Sequence, residues 1–242
     1  MKTIIAKYHS LFILAIFCSC GNNETAKPAI VQDTIPIIQK IIPVIAKKMD
    51  GKEFIQKFSE IGYFDFTEKS KLKLVQDSLR KHFNGDKEFF TEYNRNPPFQ
   101  FYDSRFYSCG DGEELYEEGG VVSLIKEMQP FLNKIRIQIN YSKESYVNSY
   151  HSIEVNGRPY VLAQGSPLVW GETIAKFADM INAELEMRNS PERIYLLTNE
   201  NEYMVFLTKD QFDLVNTYFL SDKRPMTVSE WTNKQLTELN GH

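Results

Sequence analysis

The sequence predicts an α+β fold in which a largely antiparallel sheet, built from hairpins, carries amphipathic helices on one face. Asn156-Gly157 separates two strand-like segments and is a dipeptide typical of a type I′ hairpin turn. A second pair of strand-like segments, 193–198 and 203–207, is separated by four polar residues. A segment with helical periodicity follows each hairpin. Strands joined by short turns pair antiparallel, and the helices then cover the sheet.

Capping signals and a 3.6-residue apolar period predict the helices. Asp50 and Glu53 form a D-x-x-E capping box for the first helix, which ends at Gly62. Thr67 is predicted to cap the second helix, which ends at Asn84-Gly85. Later helices are predicted over 121–133 and over 168–187, where Trp170 lies on the buried stripe. Two further helices are predicted to begin at capping boxes, one formed by Thr208 with Gln211 and one by Thr227 with Glu230.

The remaining strands are predicted from aromatic content and alternation. Aromatic residues over 99–107 favour a strand, and the alternation of isoleucine with polar residues predicts a half-buried strand over 134–140. Residues 142–149 are predicted to be a polar loop. No Gly/Ser-rich linker divides residues 49–242, so this stretch is predicted to be one domain.

Residues 1–19 have the features of a secretory leader. Two lysines precede the apolar run Leu11–Phe17, which is too short to cross about 30 Å of hydrocarbon as a helix. Cys20 follows the small residue Ser19, and this arrangement resembles the lipobox of bacterial lipoproteins, although Phe17 stands where that family usually has leucine. The resemblance implies cleavage before Cys20 and lipidation, for example with palmitate, of its thiol. The chain would then be anchored to the inner or outer membrane of the cell envelope, facing the periplasm or the exterior.

An ordinary secretory leader with two incidental cysteines, Cys18 and Cys20, is the alternative. Residues 20–48 are predicted to be a tether, because three prolines prevent a continuous helix there. The tether also contains seven isoleucines, unlike a purely solvated spacer. These isoleucines either lie against the domain as an edge strand or dock onto a partner.

The charge balance argues against nucleic-acid binding. The 242-residue chain has a formal net charge of −4. Residues 49–242 contain 22 basic and 30 acidic side chains, a net charge of −8. Phosphate recognition needs a basic face, so we expect no nucleic-acid partner. A negative field would instead steer a basic protein toward the domain.

The segment 103–120 has the highest density of acidic residues outside the leader and tether. We predict that it binds an unknown, basic protein partner through its acids and two neighbouring tyrosines. The predicted contact residues are Asp103, Asp111, Glu113, Glu114, Glu117, Glu118, Tyr107 and Tyr116. Two alternatives remain open: a Ca²⁺ site, although the spacing of a calcium loop is missing, and acids that only favour the dipole of a helix start.

This region also resembles a pattern in uncharacterised bacterial proteins, some of which are similar to immunity proteins that neutralise toxins. Phe106-Tyr107, the acidic turn 114–120 that ends in Gly-Gly, and Pro130-Phe131-Leu132 carry the resemblance. It implies protein binding and supplies no catalytic residues.

The sequence contains few signals for catalysis. No metal-binding His/Cys spacing, P-loop or dinucleotide-binding glycine pattern occurs, so we expect no metal, no cofactor and no enzyme activity. An enzyme would need Cys109 or Ser166 near His151 and a carboxylate. Ser166 is better explained as a helix cap before Pro167, and Cys109 as a buried thiol.

The sequence therefore predicts a lipid-anchored, non-catalytic protein-binding module of the cell envelope, resembling immunity proteins. The alternative is a glycan-binding surface lipoprotein, because exposed tyrosines suit sugar faces as well as protein interfaces. The tyrosines near the acidic segment and the predicted loop are Tyr102, Tyr107, Tyr116, Tyr141, Tyr146 and Tyr150.

Overall fold

Three antiparallel sheets and seven α-helices make up the described part of the chain, which confirms the α+β class. The computed structural model describes residues 49–96, 99–110, 112–148, 150–165, 168–198 and 201–240. The helices are α1 (Gly51–Glu60), α2 (Leu72–Asn84), α3 (Glu113–Tyr116), α4 (Gly120–Lys134), α5 (Val169–Met187), α6 (Lys209–Tyr218) and α7 (Val228–Asn240). The strands are β1 (Tyr93–Asn94), β2 (Gln100–Phe101), β3 (Phe106–Ser108), β4 (Tyr141–Val147), β5 (Tyr150–Val155), β6 (Arg158–Gln164), β7 (Glu192–Thr198) and β8 (Glu202–Thr208).

The central sheet has the order β3-β8-β7 and is buried on both faces. Along β7, Ile194 and Leu196 pack into a cluster with α4, α5 and α7. Tyr195 and Leu197 pack on the other side with α1, α2 and α6. We predicted helices on one face only, and the structure corrects this. Strands β7 and β8 have continuous apolar runs, as expected for strands that are covered on both faces.

The second large sheet has the order β4-β5-β6, and its β6 strand packs against α5. The predicted β5–β6 hairpin is confirmed, and both turn residues, Asn156 (φ 49°) and Gly157 (φ 79°), have the positive φ of a type I′ turn. The predicted loop over 142–149 is wrong, because Tyr141–Val147 forms an edge strand. The predicted strand over 134–140 is also wrong. Ile137 and Ile139 are buried, but neither pairs in a ladder with the described strands, and they follow Arg136, which has a positive φ.

Helix starts were predicted with mixed success. Asp50 accepts a hydrogen bond from the Glu53 amide at 2.8 Å, and Thr208 forms a complete capping box with Gln211. Thr67 does not cap α2, which begins at Leu72. Trp170 was predicted to be buried, but 46% of its side chain is exposed.

None of the helices among the described residues is both long and apolar enough to cross a bilayer.

Candidate functional site

The acidic segment divides into a surface part and a buried part. Glu113, Glu114, Glu117 and Glu118 are exposed on and just after α3. Asp111, like the lipidation candidate Cys20, lies outside the described residues.

Asp103 and Tyr107 lie in the core, so neither can contact a partner directly, and their assignment as surface residues is corrected. Asp103 is 1% exposed and accepts a hydrogen bond from the Tyr63 hydroxyl at 2.5 Å. Burial raises the pKa of the Asp103 carboxyl. The Tyr107 hydroxyl donates to the Ser104 carbonyl at 2.7 Å. These two hydrogen bonds lie inside the core around β3 and stabilise it.

Arg105 is the buried cation that accompanies Asp103. Its Nη1 lies 3.0 Å from Glu192 Oε2, and both side chains are at most 3% exposed. The Arg105 Nε donates to the Tyr63 carbonyl at 3.0 Å. The guanidinium also stacks near three aromatic rings, those of Tyr63, Phe66 and Phe131, at 4.9 to 5.5 Å from their centroids. This pattern is typical of an internal structural charge pair.

Tyr116 and Tyr146 connect the acidic surface to the edge strand β4. Their ring centroids are 5.1 Å apart in a T-shaped arrangement. A hydrogen bond with Tyr116 and burial raise the pKa of Tyr146 to about 12, with a smaller contribution from Glu117. We call the four exposed glutamates together with this neighbouring tyrosine pair the acidic patch.

Two of the residues that an enzyme would need, Cys109 and His151, are described, and both are buried. Cys109 is 3% exposed. Its burial, and to a smaller extent the charge of Glu202, raise the pKa of its thiol far above the usual range. Such a thiol stays protonated and is a poor nucleophile. His151 is fully buried, with Nε2 3.0 Å from Glu144 Oε1. Ser166 lies outside the described residues.

No group of three or more His, Cys, Asp or Glu side chains within the described ranges is placed to hold a metal ion.

An open cleft of about 530 Å³ lies between the β1–β2 hairpin and β8, and we call it the aromatic cleft. Four aromatic side chains line it: Tyr93, Phe99, Phe101 and Tyr203. Phe99 is 68% exposed and Tyr93 is 43% exposed. The Phe101 ring packs edge-on against both Tyr93 and Tyr203, with centroid distances of 5.7 and 5.9 Å. These contacts hold the rings of Tyr93, Phe101 and Tyr203 against one another.

Polar side chains complete the wall of the aromatic cleft: Arg95, Gln100, Ser108, Glu127 and Asn201. Burial raises the pKa of Glu127 above the ordinary value of a glutamate. A cleft of this size, with aromatic rings and a few convergent polar groups, is typical of a small-molecule binding site.

The sequence contained a signal for this cleft that we did not use. Three aromatic residues and one arginine lie within nine positions, around the Pro97-Pro98 break. We interpreted these residues as strand only. The cleft also needs Asn201 and Tyr203, which are about 100 positions away, and their proximity follows from the pairing of β3 with β8.

Comparison of the chain with protein-family models, with curated proteins and with solved structures finds no match, so any function must be argued from the geometry described above.

Proposed function

We propose that the protein is a non-catalytic binding protein of the bacterial cell envelope, anchored by a lipid on Cys20, and that it binds a glycan in the aromatic cleft. The observation that carries the proposal is the set of four aromatic rings that line one open cleft, two of them exposed and three of them in contact with one another. Sugar rings have apolar C–H faces that pack on aromatic faces, and hydroxyls that pair with polar side chains. The cleft supplies both kinds of contact.

Binding is tested with an oligosaccharide array, followed by titration of the best ligand. We expect Phe99→Ala and Tyr93→Ala each to weaken binding by about tenfold, which corresponds to about 1.4 kcal/mol. Tyr150→Ala is the matched control, because Tyr150 is 44% exposed but lies on β5, outside the cleft. Equal losses in all three variants, or no glycan bound at all, would refute the assignment.

The anchor is tested by labelling cells with a fatty acid. The wild-type chain should carry label and fractionate with membranes, whereas Cys20→Ala should lose both properties. Cys18→Ala is the control and should keep the label. A label that persists in Cys20→Ala would show that another residue is the acceptor.

A second candidate function is recognition of a basic protein through the acidic patch. It is favoured by the position of the four exposed glutamates beside the Tyr116–Tyr146 pair, on a domain with net charge −8. Affinity capture from envelope extract would supply the partner. We expect Glu117→Lys with Glu118→Lys to abolish this capture, and Glu186→Lys with Asp222→Lys, two exposed acids elsewhere, to leave it intact. Capture that survives reversal of the patch would exclude this surface.

A further inference from the structure

A second cleft lies next to the aromatic cleft and shares two of its residues, Tyr93 and Arg95. It has a volume of about 390 Å³. Its other lining residues are Lys81, His82, Lys87, Phe90, Thr91 and Glu92. We call it the cationic cleft, because three basic side chains and one carboxylate line it.

The positive charge of this cleft is only partly neutralised. Lys81 Nζ lies 2.8 Å from Glu92 Oε1, which forms the one ion pair of the cleft among the described residues. No described carboxylate lies within 4.0 Å of the charged nitrogens of Lys87 or Arg95. The lining residues therefore include two more cations than carboxylates, in a domain with net charge −8. The nearby Glu88 carboxylate, which acts on His82, offsets part of this excess, and the rest attracts an anion.

A buried hydroxyl in the cleft wall has no hydrogen-bond partner. Thr91 has 0% exposure, and its Oγ1 has no partner within the described structure. Leaving a buried polar group unpaired costs about 1–3 kcal/mol. Thr91 lines the cleft, so a ligand oxygen can supply the missing hydrogen bond once the side chains that cover Oγ1 move aside. This orphaned hydroxyl points to a ligand independently of the charges.

His82 adds a hydrogen-bond acceptor, its Nε2 atom. Its Nδ1 lies 3.0 Å from the Glu88 carbonyl, which can only accept, so Nδ1 carries the proton. In the neutral ring, Nε2 is then left as an acceptor. Burial lowers the pKa of His82, which keeps the ring neutral at pH 7. The cleft can therefore bind an oxyanion and accept a hydrogen bond from a neighbouring hydroxyl.

We propose that the ligand is an acidic glycan, with a sugar ring in the aromatic cleft and its carboxylate, sulfate or phosphate group in the cationic cleft. The shared residues Tyr93 and Arg95 make the two clefts adjoining parts of one site. This inference rests on the proposed glycan binding and specifies the class of glycan. Lys87 and Arg95 pair with the oxyanion, and the Thr91 hydroxyl donates to one of its oxygens.

The main experiment compares matched oligosaccharides with and without a uronate, a sulfate or a phosphate. We expect at least one acidic member to bind about tenfold more tightly than its neutral counterpart. Lys87→Gln should remove that advantage and leave neutral binding unchanged. Lys176→Gln is the control, because Lys176 is an exposed lysine on α5, outside both clefts. Unchanged thermal transitions would show that both variants fold.

A titration with inorganic phosphate alone separates this inference from the proposed function. We expect amide NMR shifts at Thr91 and His82 in the wild type and much smaller shifts in Lys87→Gln. Neutral glycans that bind as tightly as acidic ones would overturn the acidic-glycan inference and leave glycan binding intact. Phosphate binding without any glycan binding would overturn both, and the site would then be an anion site only.

Discussion

Arg105 shows how a single buried residue determines the role of its neighbours. Its guanidinium pairs with Glu192 and lies near the ring of Tyr63, whose hydroxyl donates to Asp103. The many acidic residues over 103–120 indicated a surface for a partner. The sequence could not show that Asp103 is buried whereas the glutamates are exposed. The distinction depends on the pairing of β3 with β8, which places the start of β3 in the interior.

Arg105→Met tests this buried pair. Removing the cation leaves Glu192 buried without its partner, so we expect a loss of about 3–5 kcal/mol in the free energy of unfolding. The double variant Arg105→Met with Glu192→Met should recover part of the loss, because no unpaired charge remains at Glu192. Urea denaturation measures both. An unchanged midpoint in the single variant would contradict the buried charge pair.

Glu184 is another buried carboxylate, and its pKa is shifted in the opposite direction from that of Asp103. It is fully buried on α5 and accepts hydrogen bonds from Arg158, Tyr160, Asn156 and Arg188 at 2.6 to 3.1 Å. Burial raises its pKa, but these hydrogen bonds outweigh burial and lower it from 4.5 to about 2. The contacts attach the β5–β6 hairpin to α5.

The depressed pKa of Glu184 predicts a pH dependence of stability. A carboxylate with a lower pKa in the folded state contributes its full stability above the unfolded pKa of about 4.5, and loses it as the pH falls through about 2. We therefore expect Glu184→Gln to cost about 3 kcal/mol at pH 7, with the difference from wild type shrinking between pH 5 and pH 2. Urea unfolding at several pH values measures this. A difference that is constant with pH would contradict it.

At the scale of elements, helix caps and tight turns were predicted correctly where they depend on residues that are close together in the sequence. The Asp50 and Thr208 caps and the Asn156-Gly157 turn depend on residues within three positions of each other, so the sequence was sufficient. The edge strand β4 could not be predicted in this way. It is polar and exposed along most of its length, and its pairing with β5 defines it as a strand.

Substitution by alanine should change the stability in opposite directions at two glycines. Gly157 has φ 79°, and a Cβ there would meet nothing within 4 Å, so Gly157→Ala should destabilise by about 1 kcal/mol through backbone strain alone. Gly171 lies inside α5, where a Cβ would make only an ordinary contact of 3.6 Å with Trp231. Gly171→Ala should therefore stabilise by about 0.5–1 kcal/mol. Thermal unfolding of both variants measures the sign. Equal signs would contradict the turn or the helix assignment.

At the scale of the whole molecule, the site depends on long-range pairing that no local pattern reveals. The aromatic cleft combines the β1–β2 hairpin with Asn201 and Tyr203 near the start of β8. The continuous apolar runs of β7 and β8 were visible in the sequence and indicate strands buried on both faces. We used them only to predict a hairpin, and for that reason the second helical layer was missed.

The central sheet joins both hydrophobic clusters, because alternate residues of the same strands belong to each. Unfolding of residues 49–242 should therefore be one cooperative transition. Phe58 lies in the cluster with α1, α2 and α6, whereas Trp231 lies in the cluster on the opposite face. In a Trp170→Phe background, Trp231 is the only tryptophan and reports on its own cluster alone.

We expect Phe58→Ala in that background to cost about 3–5 kcal/mol and to shift the Trp231 fluorescence transition as much as the far-UV circular dichroism transition. Phe177→Ala, in the same cluster as Trp231, is the matched variant and should behave in the same way. A Trp231 transition that stays in place while the dichroism splits into two steps would show that the clusters unfold separately. Coincident transitions in both variants would mean that the sheet transmits the loss of packing from one face to the other.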